Sequence, residues 1–371
     1  MPVIDSDAHV LENEHTWDFL DAADERYRPT LVRSEFGQRR LYWLIEGKVQ
    51  GFNVLPSEEG ELKARTGKMG RMVYTPPATR ELEDIPARLQ HMDELGVDIQ
   101  VCHPTILIER LTERPATEVA LCRSWNRWMA DAWRRGAGRI RWTCALPLLT
   151  MPEALEQLRF SVEHGACGVF LRAIEGDRLV NDSYFYPLYA EAQRLDVPLI
   201  VHVGNANPQN LDLLAGSGSG FWRFRLPTVG AFHTLVSSGM MHQFPGVRFG
   251  FVEAGCQWLP AALRDLERRA ITVGKTLGGN ILHDQRIWVT CETDDDVPYV
   301  LTYNTGDNLV MGTDYGHADQ STELDALSQL HAMPGVTEEA WRKIVDTNAL
   351  ALYGQSLLTQ WQAGQAVSAS G

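Results

Sequence analysis

The sequence predicts an α/β protein: a (β/α)8 TIM barrel with a small insertion, a cap, after its first strand. Eight short apolar runs, rich in β-branched residues, recur along the chain. Longer segments with helical periodicity separate them. The length, 371 residues, suits one such barrel as well as two domains of ~150 residues. Eight units in one chain favour a closed barrel over an open doubly wound sheet, the remaining alternative.

The strands are expected near Val3–Asp7, Val97–His103, Ile140–Leu146, Gly168–Arg172, Leu199–Val203, Val247–Glu253, Ile287–Cys291 and Leu309–Asp314. Runs such as Pro198-Leu199-Ile200-Val201 fit strands buried on both faces. Amphipathic helices are expected at Arg80–Leu95, Glu118–Arg135, Pro152–His164, Tyr184–Leu195, Gly230–Phe244, Leu259–Lys275 and Asp295–Tyr303. Residues 27–79 fit no barrel unit. They hold an apparent hairpin, Arg39–Ile45 and Val49–Phe52 turning at Glu46-Gly47-Lys48, then the polar stretch Ser57–Arg71. An insertion of that length after the first strand is expected over the barrel mouth, with Trp43, Arg65 and Arg71 facing substrate. A second mouth loop is expected at Gly204–Leu226, whose Gly216-Ser217-Gly218-Ser219-Gly220 lacks dinucleotide-binding spacing. Residues 1–360 form one domain in this reading, and 361–371 a flexible tail.

Composition narrows the function. Lysine plus arginine number 34 and aspartate plus glutamate 48, giving a formal net charge of −14. That balance offers no basic footprint for nucleic acid. No apolar run approaches the ~20 residues of a membrane helix, and the N-terminus lacks the regions of a signal peptide. Six cysteines, at 102, 122, 144, 167, 256 and 291, form no CxxC pair. They read as buried reduced thiols in a cytoplasmic protein. The helix carrying Trp125, Trp128 and Trp133 reads as core or subunit contact, and a homodimer acting on a small molecule is expected.

Residues able to bind metal collect at the C-terminal ends of the expected strands. The first run leads through Asp7 to His9, two residues on and on the same side by strand period. The fifth ends in His202, the sixth in Glu253 and the eighth in Asp314. Alone, each has an ordinary explanation: a strand-end Asp caps a helix, and a His after Ile-Val sits in a core. In a barrel these ends meet, and two imidazoles with up to three carboxylates would hold a divalent ion. His103 and Arg172 end the second and fourth strands and are further candidates for catalysis. His317 follows Asp314 and is a candidate substrate contact. Glu12 could be a site carboxylate or a helix cap.

The chain resembles the amidohydrolase superfamily, in the branch with aminocarboxymuconate-semialdehyde decarboxylase and related aromatic-acid decarboxylases. The matching motifs are Ile4-Asp5-Ser6-Asp7-Ala8-His9, Val201-His202, Phe244-Pro245-Gly246-Val247-Arg248-Phe249 and Gly312-Thr313-Asp314-Tyr315-Gly316-His317. The resemblance implies a (β/α)8 barrel and a metal that activates water or holds the substrate. It places Asp7 and His9 at the family's His-x-His pair, His202 as the strand-five ligand, and Asp314 as ligand and general base. Two departures stand out. Asp7 replaces a histidine. Glu253-Ala254-Gly255 stands where family decarboxylases carry a strand-six histidine. A carboxylate there can ligate one metal or bridge two. Metal-dependent hydrolysis of a carbonyl compound is therefore the first expectation and non-oxidative decarboxylation of an aromatic or enoic acid the alternative. A barrel kept only for binding is a third. One ion is expected and two are possible. Zinc, iron and manganese stay open, the oxygen-rich donor set leaning toward iron or manganese.

Overall fold

The computed structural model describes residues 1–33, 41–53, 59–214, 220–274, 276–277 and 279–368. Arg39, Arg40 and the Gly216–Ser219 stretch lie outside them. Eight parallel strands follow one another round a single sheet. They are β1 (Ile4–Val10), β2 (Ile99–Pro104), β3 (Ile140–Cys144), β4 (Ala166–Arg172), β5 (Leu199–His202), β6 (Phe249–Val252), β7 (Ile287–Cys291) and β8 (Leu309–Met311). Beyond the end of β8 the chain returns to β1 and narrows the ring to a nearly closed barrel: Asp314 N–H donates to Asp7 O at 2.8 Å, and His9 N–H to Tyr315 O at 2.6 Å. Each expected strand lies within a few residues of an observed one.

The helices also follow the expected pattern, with two divisions: the expected Gly230–Phe244 helix ends at Ser238, and left-handed Gly239 separates it from a short turn, Met240–His242. The expected Arg80–Leu95 helix is two, Pro77–Arg80 and Ile85–Glu94. Asp84 caps the second by accepting from Ala87 N–H at 2.9 Å, and Pro86 suits its first turn. The long helix Pro115–Arg135 buries Trp125 against both Trp128 and Trp142, so those indoles belong to the core. All six cysteines are buried and free. Among the described residues no helix is long and apolar enough to cross a membrane.

The two ends of the barrel differ. Ile4, Ile99, Val101, Ile200, Val252, Trp288 and Val310 pack with Leu350, Leu352, Tyr353 and Leu357 from the C-terminal helices. That apolar plug closes the N-terminal end and leaves chemistry to the C-terminal mouth. The last helix, Ser356–Ser368, carries into the stretch expected as a tail, and Trp133 Nε1–H donates to its Gln360 at 3.0 Å.

The insertion forms a three-stranded antiparallel sheet, Thr30–Arg33, Leu41–Ile45 and Lys48–Asn53, followed by a helix, Glu59–Met69. The hairpin turns where expected, with Glu46 and Gly47 both at positive φ, as a two-residue hairpin requires. Glu46 accepts from Thr112 and Thr117, Arg71 pairs with Asp294, and Met72 N–H donates to Glu323. These partners lie in segments leaving the C-terminal ends of β2, β7 and β8.

Candidate metal centre at the barrel mouth

The mouth is built from the strand ends inward. At β1 the register against β2 shifts between Asp5 and Ala8, a bulge that re-aims Asp7. Asp5 holds this bulge. It accepts from Asp7 N–H at 3.2 Å, from Thr313 N–H at 3.0 Å and from the Thr313 hydroxyl at 2.6 Å. Gly312 lets β8 approach: a Cβ there would sit 2.4 Å from Asp7 Cβ. Glu253 and Asp314 both adopt left-handed backbone, φ 64° and 52°, which costs a non-glycine residue roughly 1–3 kcal/mol. Each is pinned. Glu253 N–H donates to Thr290 Oγ1 at 3.0 Å, and Asp314 N–H to Asp7 O.

Five side-chain atoms converge. His9 Nε2 and His202 Nε2 are 3.0 Å apart. Asp7 Oδ1 lies 3.6 Å from His9 Nε2 and 3.5 Å from His202 Nε2. Glu253 Oε2 lies 3.1 Å from His202 Nε2 and 3.6 Å from His9 Nε2, and Asp314 Oδ1 3.6 Å from His9 Nε2. Asp7 Oδ1, Glu253 Oε2 and Asp314 Oδ1 are buried without a hydrogen-bond partner. Their other contacts face outward: Thr322 Oγ1 donates to Asp314 Oδ2 at 2.9 Å and Ser321 Oγ to Glu253 Oε1 at 3.3 Å. His202 Nδ1–H donates to Val203 O at 3.0 Å, which turns a bare Nε2 toward the cluster.

Electrostatics says the same. Burial raises Asp7 to about 6. Burial, then neighbouring carboxylates, raises Glu253 and Asp314 well above the usual range. Burial also keeps the imidazoles neutral, lowering His9 well below its ordinary value and His202 to about 3. Buried, unpaired carboxylate oxygens beside bare imidazole nitrogens are costly without a cation. Asp7, His9, His202 and Glu253 can each offer one donor atom within 4.8 Å of the others, and so can His9, Glu253, Asp314 and His317. These residues fit a divalent ion with mixed nitrogen and oxygen ligands.

The other expected site residues divide. His317 joins the cluster, stacked on His9 at 3.9 Å between ring centroids, its Nδ1 2.7 Å from Asp314 Oδ1. His103 is beside the cluster but spent: Nε2–H donates to Ser6 O at 3.0 Å and Nδ1 accepts from Thr143 Oγ1 at 2.8 Å. Arg172 is also spent. It clamps Glu175 through Nε and Nη2 and donates through Nη1 to Leu107 O and Glu109 O, so its guanidinium is turned away from the cluster. Trp43 is a correction: it is buried against Trp17, ring centroids 5.8 Å apart, because the hairpin's apolar face packs inward. Arg71 pairs with Asp294 through Nη2 at 2.9 Å, while its Nη1 is buried without a hydrogen-bond partner. The side chain of Arg65 lies outside the described residues. Glu12 anchors the loop after β2, accepting from Thr105 N–H, Ile106 N–H and Trp125 Nε1–H. Sequence reasoning missed Asp5, Thr105, Thr290, Ser321 and Thr322. Only Asp5 carried a signal, inside the Asp5-Ser6-Asp7 motif.

An eight-stranded parallel barrel with imidazoles and carboxylates gathered at its C-terminal mouth defines the class: a barrel enzyme with a site shaped for a metal ion. The amidohydrolase family profile matches residues 4–355, and the chain belongs to that family. It is 26% identical over 205 residues to gamma-resorcylate decarboxylase of Rhodococcus jostii (strain RHA1), a match covering 51% of this chain and 60% of that relative. The chain thus spans less than two thirds of that relative's length. Among solved structures, an amidohydrolase from Mycobacterium avium subsp. paratuberculosis K-10 superposes with a TM-score of 0.74 at 21% identity, covering 95% of this chain and 98% of that one. A dihydroxybenzoic acid decarboxylase from Polaromonas sp. JS666, with bound manganese and the inhibitor 2-nitroresorcinol, gives 0.65 at 16%, covering 96% and 97%. Those two likenesses show the shared fold.

Proposed function

We propose that the protein is a divalent-metal-dependent, non-oxidative decarboxylase of a hydroxylated aromatic carboxylic acid. The observation that carries the metal is the set of three bare buried carboxylate oxygens around two imidazole nitrogens. The reaction class rests on the decarboxylases among the relatives, which reverse the order of hydrolysis and decarboxylation expected from sequence. Manganese is the first metal to test, given the manganese in the Polaromonas structure.

A bound divalent ion would hold the substrate carboxylate and an adjacent oxygen and offset their charge. The residues Asp7, His9, His202, Glu253 and Asp314 would hold that ion. Asp314 would also pass a proton to the ring carbon bearing the carboxyl group. The carbon–carbon bond then breaks, its electron pair returns to the ring, and carbon dioxide leaves. Asp314 regains its proton from solvent. Arg71, with an unused buried Nη1–H, is the candidate for a substrate anion. Hydrolysis remains a second reading on one observation: Glu253 Oε2 lies within the donor cluster, 3.1 Å from His202, where the resemblance leads one to expect a histidine.

The test is product analysis on manganese-loaded protein with 2,6-dihydroxybenzoate and related hydroxybenzoates. Carbon dioxide and the phenol are expected. Uptake of solvent oxygen-18 into an acid product from ester or lactone substrates, with no carbon dioxide from the benzoates, would overturn the decarboxylase reading.

A further inference from the structure

Two of the cluster's imidazoles meet at one hydroxyl. Thr105 Oγ1 lies 3.2 Å from His9 Nδ1 and 3.0 Å from His317 Nε2. It also donates to Val10 O at 2.8 Å. A threonine hydroxyl has one donor and two acceptor positions. With its proton on Val10 O, it accepts from both rings. His9 then carries its proton on Nδ1, and His317 carries its proton on Nε2. The nitrogens left bare are His9 Nε2, 3.6 Å from the oxygens of Asp7, Glu253 and Asp314, and His317 Nδ1, 2.7 Å from Asp314 Oδ1. That last approach lacks hydrogen-bonding geometry, and both atoms are without a partner.

The hydroxyl is held firmly. Glu12 grips the backbone N–H of Thr105 at 3.1 Å and of Ile106 at 3.0 Å, and Trp125 Nε1–H donates to the same carboxylate at 2.8 Å. The stack of His9 on His317 keeps both protonated nitrogens over one point. His202 needs no such device, since Val203 O already accepts its Nδ1–H.

We propose that Thr105 is a positioning residue that fixes the tautomers of His9 and His317 together, so that one hydroxyl turns two bare imidazole nitrogens toward the metal centre. It touches neither metal nor substrate and acts through the two rings, as groups that orient metal-bound histidines do. The proposal rests on the metal reading alone and is independent of the reaction catalysed.

The test compares manganese affinity in wild type, Thr105→Val and Thr105→Ser by electron paramagnetic resonance titration, with melting temperature of the metal-free proteins alongside. Thr105→Val keeps the shape and removes the acceptor. It is expected to weaken manganese binding about tenfold or more, and Thr105→Ser to remain within about threefold of wild type. Wild-type affinity in Thr105→Val would overturn the proposal. So would equal weakening in both variants, which would mark packing. Nitrogen-15 histidine spectra of the metal-free wild type give a second check that needs no variant. They are expected to show His9 protonated at Nδ1 and His317 at Nε2, and the opposite tautomer at either ring would overturn the assignment. If wild type binds no manganese at all, the metal reading fails first, and the spectra still decide the tautomers.

Discussion

Two halves of the barrel mouth carry similar residue types and use them differently. The ends of β1, β5, β6 and β8 present Asp7, His9, His202, Glu253 and Asp314. Three of their carboxylate oxygens are buried and unpartnered. The ends of β2 and β4 present His103 and Arg172, equally buried, with their hydrogen-bonding capacity consumed by Ser6 O, Thr143, Glu175 and two loop carbonyls. Position at a strand's C-terminal end therefore nominates a residue for chemistry, and unspent capacity marks the site. The backbone differs in the same way. Glu253 and Asp314 hold left-handed φ values, whereas His103 and Arg172 close ordinary strands.

The largest effect should come from the unspent half. His202→Ala removes the bare Nε2 and is expected to weaken manganese binding by at least about 100-fold, beyond the usual cost of losing a group that only orients a ligand. Carbon dioxide release should go with it, while far-ultraviolet circular dichroism stays unchanged. Full metal occupancy in this variant would erase the distinction between the halves. On the spent side, Arg172→Met leaves Glu175 buried without its partner. A loss of about 3–5 kcal/mol of stability is expected by denaturant titration, with metal affinity and KM of the folded protein unchanged. A raised KM there would return Arg172 to the site.

Much of this frame is readable from local pattern. The strands alternate with helices at regular spacing, and Asp7, His9, His202, Glu253 and Asp314 all fall at strand ends. The hairpin turn at Glu46-Gly47 is also local. What is not local could not be read. His103 is spent on Ser6 and Thr143, 97 and 40 residues away. Trp43 looks like a cap aromatic until the fold sets it on Trp17. Thr105 has no distinguishing neighbour in sequence, because its role depends on His9 and His317 arriving from opposite ends of the chain.

The insertion tests whether the comparison extends beyond the strand ends. Arg71 is half spent, with Nη2 on Asp294 and Nη1 unpartnered. If the free donor meets substrate, Arg71→Met should raise KM about tenfold, the worth of one hydrogen bond to a charged group. Turnover at saturation should change little. An unchanged KM would class Arg71 with Arg172.

The smallest expected effect is a pH dependence that only the unspent half can lose to metal. Asp7 is raised by burial from 3.8 to about 6, and Glu253 and Asp314 shift in the same direction. A carboxyl raised on folding contributes stability that is full below its unfolded pKa and is lost as pH rises through its folded pKa. Buried histidines work oppositely, since His9, His103 and His202 are lowered from 6.5 and lose stability as pH falls below that value. Above about pH 7 they are mostly neutral in both states, so the slope there belongs mainly to the carboxylates. Chelated protein should therefore melt at lower temperature as pH rises from 7 to 8, by about 1 °C for each kcal/mol lost. Manganese reverses the sign for its own ligands, because it binds their ionised forms. It cannot relieve Glu118, far round the mouth beside Leu149 N–H and raised by burial to about 7. The loaded protein should accordingly keep a shallower downward slope, and the gap between loaded and chelated melting curves should widen with pH. Parallel slopes in differential scanning fluorimetry would mean that the Glu253 and Asp314 carboxyls do not face the ion, and the two halves of the mouth would be alike after all.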